Sequence, residues 1–366
     1  MNTVIQVVQH LSPGGIEVMA LELKRINQQH NDRMLIVSLE GDKSVLMARW
    51  PRLQEMESEL FFLNKKPGID FTTILRLVEL FKKEHATAIH THHIGPLLYA
   101  GIAGRLAKVS TIVHTEHDIW HLQNTKRLII QRLALAIVRP TLIADAQMVA
   151  NGMKKYLRRN DIGVVTNGID VDRFSPGDKA AAREVFGLPK NVKLVGISGR
   201  MEEVKGHKVL VQALEYMDDS VHLVLAGDGS LAEGLRDLAT VLGMSQRVHF
   251  LGQIDDMPNF YRALNVFCLS SFQEGMPLAP LEAQSCGIPA VITNVGGAAE
   301  TLCKKTGSLV PAGDSHALAK ALTKQLEKKI QVNPRVFVER HGNVIQMAQA
   351  YAKLCNSSFT VAAARV

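Results

Sequence analysis

Aromatic side chains are scarce: Phe, Trp and Tyr make up 5% of the 366 residues. Only Tyr156 falls within the basic runs, too few for a protein that stacks single-stranded bases. No nucleic-acid partner is expected. Cysteine is equally sparse. Cys268, Cys286, Cys303 and Cys355 lack the paired spacing of a zinc finger or a disulfide framework, as suits a reducing compartment. No charge-free apolar run reaches the roughly 18 residues of a membrane span. The opening Met1-Asn2-Thr3-Val4-Ile5-Gln6-Val7-Val8 has no basic region and no small-residue cleavage site, so it does not read as a secretory signal. It reads as a first buried strand, and a cytoplasmic protein is expected.

What is present is an ordinary globular mixture, 46% apolar and 21% charged, long enough for two cores. Lys and Arg outnumber Asp and Glu by 42 to 35, and the excess is uneven. Up to Ser175 the balance is 22 to 17, whereas beyond it the balance is 20 to 18. The surplus concentrates at Lys126-Arg127, Arg132, Arg139 and Lys154-Lys155-Tyr156-Leu157-Arg158-Arg159. Such patches either attract anionic partners or simply solvate a helix face.

Short apolar runs alternate with helical periods. Strands are expected at Val4–Val8, Met34–Leu39, Ala88–His92, Thr111–His114, Thr141–Ala144 and Gly163–Thr166. Helices are expected at Glu17–Gln29, Phe71–Lys83, Pro96–Leu106, Thr125–Val138 and Met148–Leu157. This is βαβ alternation, hence a parallel sheet covered on both faces. A cluster of Gly, Pro and Asp at 167–178 interrupts it and is expected to be a linker. The alternation then restarts, with strands expected at Lys193–Ser198, Val221–Ala226, Val248–Leu251, Val266–Leu269, Ala290–Thr293 and Ser308–Val310. An α/β architecture of two doubly wound domains follows, 1–166 and 179–342, with ligands at strand carboxyl ends and in a cleft between them. Residues 343–366 are expected to form a last helix, packing back toward the first domain, and a frayed tail at Ser357–Val366.

Gly227-Asp228-Gly229-Ser230-Leu231-Ala232 follows a strand and opens a helix, so it matches the GxGxxA dinucleotide fingerprint. It follows the second strand of its domain and no acidic strand end comes about 20 residues later, which disfavours a dehydrogenase. Gly199-Arg200 and Lys205-Gly206 bracket the end of that domain's first strand and a helix entrance, a pattern that suits a diphosphate clamp. Most informative is Ser270-Ser271-Phe272-Gln273-Glu274-Gly275-Met276-Pro277-Leu278, with Glu282 eight residues after Glu274. Both carboxylates can face one pocket, with the amides of Gly275, Met276 and Leu278 pointing at phosphate or sugar oxygens. The bland alternative is a helix N-terminus compensated by Glu274, with Glu282 on the surface.

The spacing Glu274-x7-Glu282, within Ser-Ser-x-x-Glu-Gly-x-Pro and followed by Cys286-Gly287, resembles the retaining glycosyltransferases of family 4, which have the GT-B fold. Other stretches agree in order: Ser12-Pro13-Gly14-Gly15-Ile16-Glu17, His90-Thr91-His92, His114-Thr115-Glu116-His117-Asp118, Asn167-Gly168-Ile169-Asp170 and Val295-Gly296-Gly297. Ala144-Asp145-Ala146-Gln147 departs from the family's pattern at a strand end on the acceptor side.

The resemblance implies two Rossmann-like domains facing across a cleft, the first binding an acceptor and the second a nucleotide sugar. It implies catalytic roles for Glu274, His117, Arg200 and Lys205. Donor contacts would come from Gly14, Gly15, Arg200, Lys205, Gly227, Gly229, Ile254, Glu274, Gly275, Met276, Pro277, Leu278 and Glu282. Acceptor contacts would come from His92 and His117. Six of the 14 histidines lie between His90 and His121. The pair His117-x3-His121 admits zinc, but no HExxH accompanies it. Asp170-Val171-Asp172 sits in the linker rather than after a strand, so no metal and no cofactor is expected. The expected partners are a nucleotide-sugar donor and a glycan or lipid-linked acceptor, with weak contact to an anionic membrane through the first domain. A sugar-nucleotide-binding subunit without catalysis, or a phosphorylase or epimerase of the same fold, are the rival readings.

Overall fold

The computed structural model describes residues 2–27, 32–329 and 331–355, so the tail expected to fray lies outside the described residues. The chain divides into two units, one running to Asn167 and resuming at Val344, the other continuous from Gly168 to Asn343.

The first unit is a seven-stranded parallel sheet in the order β3-β2-β1-β4-β5-β6-β7. Its strands are β1 (Thr3–His10), β2 (Arg33–Glu40), β3 (Leu60–Phe62), β4 (Ala88–His92), β5 (Thr111–Glu116), β6 (Thr141–Ala144) and β7 (Ile162–Val164). Helices α1 (Gly15–Asn27) and α2 (Lys43–Arg49) connect strands stepping one way from β1. After β3 the steps reverse, through α3 (Phe71–Lys83), a stretch of α4 (Ile94–Pro96), a π-turn (Leu97–Gly101) and α5 (Ile102–Leu106), then α6 (Thr125–Val138) and α7 (Gln147–Leu157). Right-handed crossovers therefore put α1 and α2 on one face, and α3, α5, α6 and α7 on the other. Burial from both sides explains why Val4, Ile5, Val7 and Val8 are all inaccessible.

The second unit is a six-stranded parallel sheet in the order β10-β9-β8-β11-β12-β13. Its strands are β8 (Lys193–Ser198), β9 (Val221–Ala226), β10 (Val248–Gly252), β11 (Val266–Leu269), β12 (Ala290–Thr293) and β13 (Ser308–Val310). Its helices are α8 (Lys179–Val185), α9 (His207–Ala213), α10 (Ala232–Val241), α11 (Met257–Ala263), α12 (Ala279–Ser285), α13 (Ser315–Glu327) and α14 (Arg335–His341). The last helix among the described residues, α15 (Val344–Leu354), belongs to the first unit and packs on α1, and its Tyr351 hydroxyl lies 3.1 Å from Thr115 Oγ1. All four cysteines are free and buried.

The sequence pattern misses α2, β3, α8 and α14, and shifts β7 by one to two residues. Three-residue β3 is too short to show a period, and seven-residue α8 and α14 offer barely two turns. Asp178 is the cap of α8: its Oδ1 accepts the amides of Ala180 and Ala181 at 2.7 and 3.1 Å.

On α8, Arg183 is 4% exposed and meets no carboxylate among the described residues. Its guanidinium instead donates to the carbonyls of Ala263, Lys190 and Val192 and to Asn265 Oδ1, at 2.6–3.1 Å. Asn265 Oδ1 keeps the Leu194 amide at 2.9 Å, but the three carbonyls lose the fork, at roughly 1–3 kcal/mol for a buried group left unsatisfied. Arg183→Leu is therefore expected to destabilise the second unit by about 3 kcal/mol or more. Both tryptophans, Trp50 and Trp120, lie in the first unit, so urea unfolding followed by far-ultraviolet circular dichroism is the readout: a lowered midpoint is expected, and an unchanged one contradicts it.

Candidate functional site

The loops leaving β8 and β9 are laced together by backbone. Met201 N–H donates to Asp228 O, and Leu231 N–H to Met201 O, both at 2.9 Å. At Gly227, where φ is +135°, a Cβ would stand 2.0 Å from the Gly199 carbonyl oxygen. At Gly229 it would stand 2.6 Å from that of Met201. Loop packing alone requires both glycines. Ser230 spends its amide and hydroxyl on Glu202, at 3.1 and 2.7 Å. The GxGxxA pattern thus needs no dinucleotide to account for it.

A second close approach joins the loops after β8 and β11. Gly206 has φ +65°, and a Cβ there would lie 2.1 Å from the Ser270 carbonyl oxygen. Ser270 Oγ donates to Gly206 O at 2.9 Å and Phe272 N–H to Val204 O at 2.8 Å. Lys205 is thereby set against Glu274, with Nζ 2.7 Å from Oε1. Ser271 Oγ donates to the same oxygen at 2.6 Å. The Glu274 side chain is only 8% exposed, yet its Oε2 receives no hydrogen bond among the described residues. Gly275 O accepts from Gly297 N–H at 2.9 Å, while the amides of Gly275 and Leu278 find no protein acceptor among the described residues. Arg200 is exposed just beyond β8, and its guanidinium makes no hydrogen bond or ion pair among those residues. Met276 is buried, and Pro277 and Ile254 are half-buried.

Glu282 sits half-buried on α12 and accepts from the Tyr261 hydroxyl at 2.6 Å. That hydroxyl lies 3.0 Å from Ser198 Oγ. Burial first, then the Glu282 charge, hold the Tyr261 phenol well above its usual range, so it remains a donor at every ordinary pH.

In the first unit the imidazoles of β4 and β5 gather at the sheet's carboxyl edge. His92 Nδ1 is 3.1 Å from His117 Nε2, and His117 Nδ1 is 3.2 Å from Asp145 Oδ2. His92 Nε2 lies 2.9 Å from Gln6 Oε1. An oxygen at each end gives three bonds to fill, so two neutral rings are one proton short. Half a turn of the Gln6 amide, offering N–H to His92, satisfies the line with both rings neutral. Neutrality is what burial favours: it lowers His90 and His92 well below the usual range and His117 to about 3. Both His117 nitrogens are thus engaged within the protein.

Glu116 is fully buried. It accepts from His114 at 2.8 Å and from Gln131, with His93 and His121 within 3.6–3.8 Å. Burial opposes its charge, but these partners outweigh it and hold the carboxyl well below the carboxylate range. His93 and His121 are raised in return; burial works against them, and hydrogen bonds and charge from Glu116 and Asp118 prevail. Gly15 opens α1, while the Glu17 side chain turns back on Gly14, where a Cβ would meet its Oε2 at 2.4 Å. The amide end of α1 therefore already has a carboxylate beside it. Asp170 Oδ1 accepts the amides of Asp172 and Arg173, both at 3.0 Å, so that Asp-x-Asp is a turn.

Residues 178–341 match the family of glycosyl transferases group 1, and residues 13–173 match glycosyltransferase family 4. The chain is 32% identical over 282 residues to the UDP-Gal:alpha-D-GlcNAc-diphosphoundecaprenol alpha-1,3-galactosyltransferase of Escherichia coli, covering 71% of this chain and 72% of that one. It belongs to the family 4 glycosyltransferases. A D-inositol 3-phosphate glycosyltransferase of Mycobacteroides abscessus is 30% identical, with 70% of this chain and 62% of the relative aligned. The crystal structure of Anabaena HepE in complex with UDP and glucose superposes with a TM-score of 0.84 at 22% identity, over 97% of this chain and 100% of that one. That likeness establishes the GT-B fold.

In this glycosyltransferase the carboxylates and cations named from sequence, Arg200 apart, fall in two groups. Lys205, Glu274 and Ser271 form one contact set, and Glu282 forms another with Tyr261. Tyr261, Ser198 and Asp145 were not named as site residues, since a lone Tyr, Ser or Asp carries no spacing signal. His93 also escaped, although its backbone marks it. With φ +67° and ψ 169° it occupies a region essentially reserved for glycine, and its side chain is 30% exposed, the most accessible of the cluster around Glu116. Strain of this kind, roughly 1–3 kcal/mol, reverses the usual order of small residues. His93→Gly is expected to be more stable than His93→Ala by at least about 1 kcal/mol in thermal or urea unfolding. The opposite order would show that the backbone is relaxed there.

The histidines also set an acid limit. His90, His92 and His117 are depressed in the folded state, so their contribution is complete above their unfolded value near 6.5 and is lost as pH falls below it. Three extra protons taken up by the unfolded chain give a slope of about 4 kcal/mol per pH unit. The first unit should lose its near-ultraviolet circular dichroism cooperatively between about pH 6 and 4.5. Retention of that signal at pH 4 would contradict the assignment.

Proposed function

We propose that this glycosyltransferase moves a hexosyl or N-acetylhexosaminyl group from a nucleotide sugar to a hydroxyl of a glycan or lipid-linked acceptor, with retention at the anomeric carbon. Synthesis of surface polysaccharide or glycolipid is the corresponding role. The observation that carries the reading is Glu274: Oε1 is anchored by Lys205 and Ser271, and Oε2 is left without a hydrogen bond among the described residues. A buried carboxylate held in this way is preorganised for sugar hydroxyls or for positive charge developing at the anomeric carbon.

In this reading Arg200, Lys205 and the amides of Gly275 and Leu278 bind the diphosphate. Glu282, oriented by Tyr261, accepts from ribose hydroxyls. His92 and His117 line the acceptor side, where His117 exchanges its bond to His92 for one to a sugar hydroxyl. The acceptor oxygen bonds to the anomeric carbon as the bond from that carbon to the phosphate oxygen breaks. The released phosphate oxygen takes the acceptor's proton, so no separate base is required. Cations already stabilise the departing diphosphate, and the reaction proceeds without an essential metal.

The E. coli relative is named for UDP-galactose, so UDP-hexoses head a donor screen that also includes GDP- and ADP-sugars. Nuclear magnetic resonance of the product at the anomeric proton tests retention, and an inverted product overturns it. A charge-assisted contact is worth roughly 1.5–3 kcal/mol, so Arg200→Ala is expected to weaken binding of the matching nucleoside diphosphate about tenfold or more. Lys205→Ala should cost more, because it also leaves Glu274 unneutralised beside the diphosphate. Calorimetry decides, and unchanged affinity in both variants removes the clamp. Activity in excess EDTA should stay within about twofold, whereas complete loss restored by Mg²⁺ or Mn²⁺ would require a metal.

A further inference from the structure

Asp145 stands just beyond β6, and its amide donates to the Glu116 carbonyl at 3.2 Å, which sets it beside His117. It lies in the Ala144–Gln147 stretch that departs from the family's pattern, so the resemblance assigns it no role. The residue is 1% exposed. Its Oδ2 accepts from Asn167 Nδ2 at 3.1 Å and meets His117 Nδ1 at 3.2 Å. A buried carboxylate thus closes one end of the line that runs through His117 and His92 to Gln6, and it gives that line a direction.

Two neutral orders are open to the line. In the first, Gln6 N–H donates to His92 Nε2, His92 Nδ1–H to His117 Nε2, and His117 Nδ1–H to Asp145. In the second, the protons are reversed: His117 Nε2–H donates to His92 Nδ1, and His92 Nε2–H to Gln6 Oε1. The second order turns the bare Nδ1 lone pair of His117 on an anionic oxygen 3.2 Å away. The first gives up less: a bond from the Gln6 amide to the Met34 sulfur at 3.2 Å, a weak acceptor. A charge-assisted bond is roughly twice as strong as a neutral one, so the carboxylate decides the order. Charging His117 would also satisfy Asp145, but burial lowers that ring to about 3.

We propose that Asp145 is a positioning residue: it fixes His117 as the Nδ1–H tautomer, so that Nε2 presents a lone pair and selects a substrate group that donates a hydrogen. The inference rests on the reading that His117 exchanges its bond to His92 for one to a sugar hydroxyl. With Nδ1–H spent on Asp145, the incoming group must supply the proton of the new bond. A sugar hydroxyl does so; an ether, a carbonyl or a fluorine at the same position cannot. His92 Nδ1–H, released by the exchange, is then a donor for the oxygen of that hydroxyl. The hydroxyl keeps its proton in this contact, and Asp145 touches neither substrate nor reacting atoms.

The tautomers are read in the full chain without substrate, by long-range nitrogen–proton correlation spectra of labelled histidine, assigned through His92→Gln and His117→Gln. Both rings of the wild type are expected as Nδ1–H. Asp145→Leu removes the acceptor and should reverse the line, turning both rings to Nε2–H, so that His92 changes although its own partners are untouched. Gln6→Met cuts the opposite end and should leave both rings as Nδ1–H; with the wild type, it decides the matter if Asp145→Leu does not fold. Transfer to a panel of octyl hexosides and octyl N-acetylhexosaminides is the second readout. Asp145→Leu is expected to lower kcat/KM for these acceptors about tenfold or more, with the KM of the nucleotide sugar unchanged. Nε2–H at His117 in the wild type, tautomers unmoved by Asp145→Leu, or loss of Nδ1–H in Gln6→Met overturns the inference and leaves the function proposed above intact. If His117→Gln transfers as well as wild type, His117 does not meet the acceptor, and that reading fails together with this one.

Discussion

A carboxylate taken almost wholly out of water must be given a cation and a donor; at Glu274 the donor comes from its own loop and the cation from the loop after β8, which is brought up by close backbone approach. Lys205 reaches it because Gly206 lets the chain pass against the Ser270 carbonyl. Ser271 reaches it because Ser270 and Phe272 are tied to the Val204–Gly206 turn. The result is one oxygen saturated and one left over. A Cβ at Gly206 would separate the two loops and with them the charges, so the electrostatics of this site rest on a steric condition several bonds away.

The first unit solves the opposite problem. Its imidazoles are held toward the neutral form by burial where they form a line from Gln6 to Asp145, whereas His93 and His121 are pushed toward the charged form beside Glu116. The same residue type therefore serves as an uncharged relay of hydrogen bonds on one side of β5 and as counter-charge on the other. Alternation along the strand makes this arrangement possible, because His114 and Glu116 share one face and Thr115 turns to the other, toward His90 and Tyr351.

Strands and long helices were legible because their signal is periodic and their cores are covered on both faces. Ala88–His92, Thr141–Ala144, Lys193–Ser198 and Val221–Ala226 agree to the residue. Seven-residue helices and a three-residue edge strand were not, since so few residues cannot display a period. For the site, Glu274, Glu282, Arg200 and Lys205 stand out by spacing within loops. Their supports, Tyr261, Ser271 and Ser198, come from separate elements and meet only in the folded sheet. The two glycines of the fingerprint were legible as glycines but not as to purpose: sequence cannot tell a loop that cradles phosphate from one that packs on its neighbour's carbonyl. Nor does a mixed apolar and basic helix declare which of its apolar residues turn inward.

The closing helix has a consequence for how the chain is made. The second unit is continuous from Gly168 to Asn343, but the first lacks α15 until residues after it have been synthesised. Until then Val4, Met19, Leu23 and Ile26 have no Met347 or Tyr351 to cover them, and Thr115 lacks its hydroxyl partner. On a ribosome the later-synthesised unit can complete its core while the earlier one still waits, inverting the usual amino-to-carboxyl order of domain folding. The first unit must therefore spend part of its nascent life with an open hydrophobic seam, which closes only once α15 has been made.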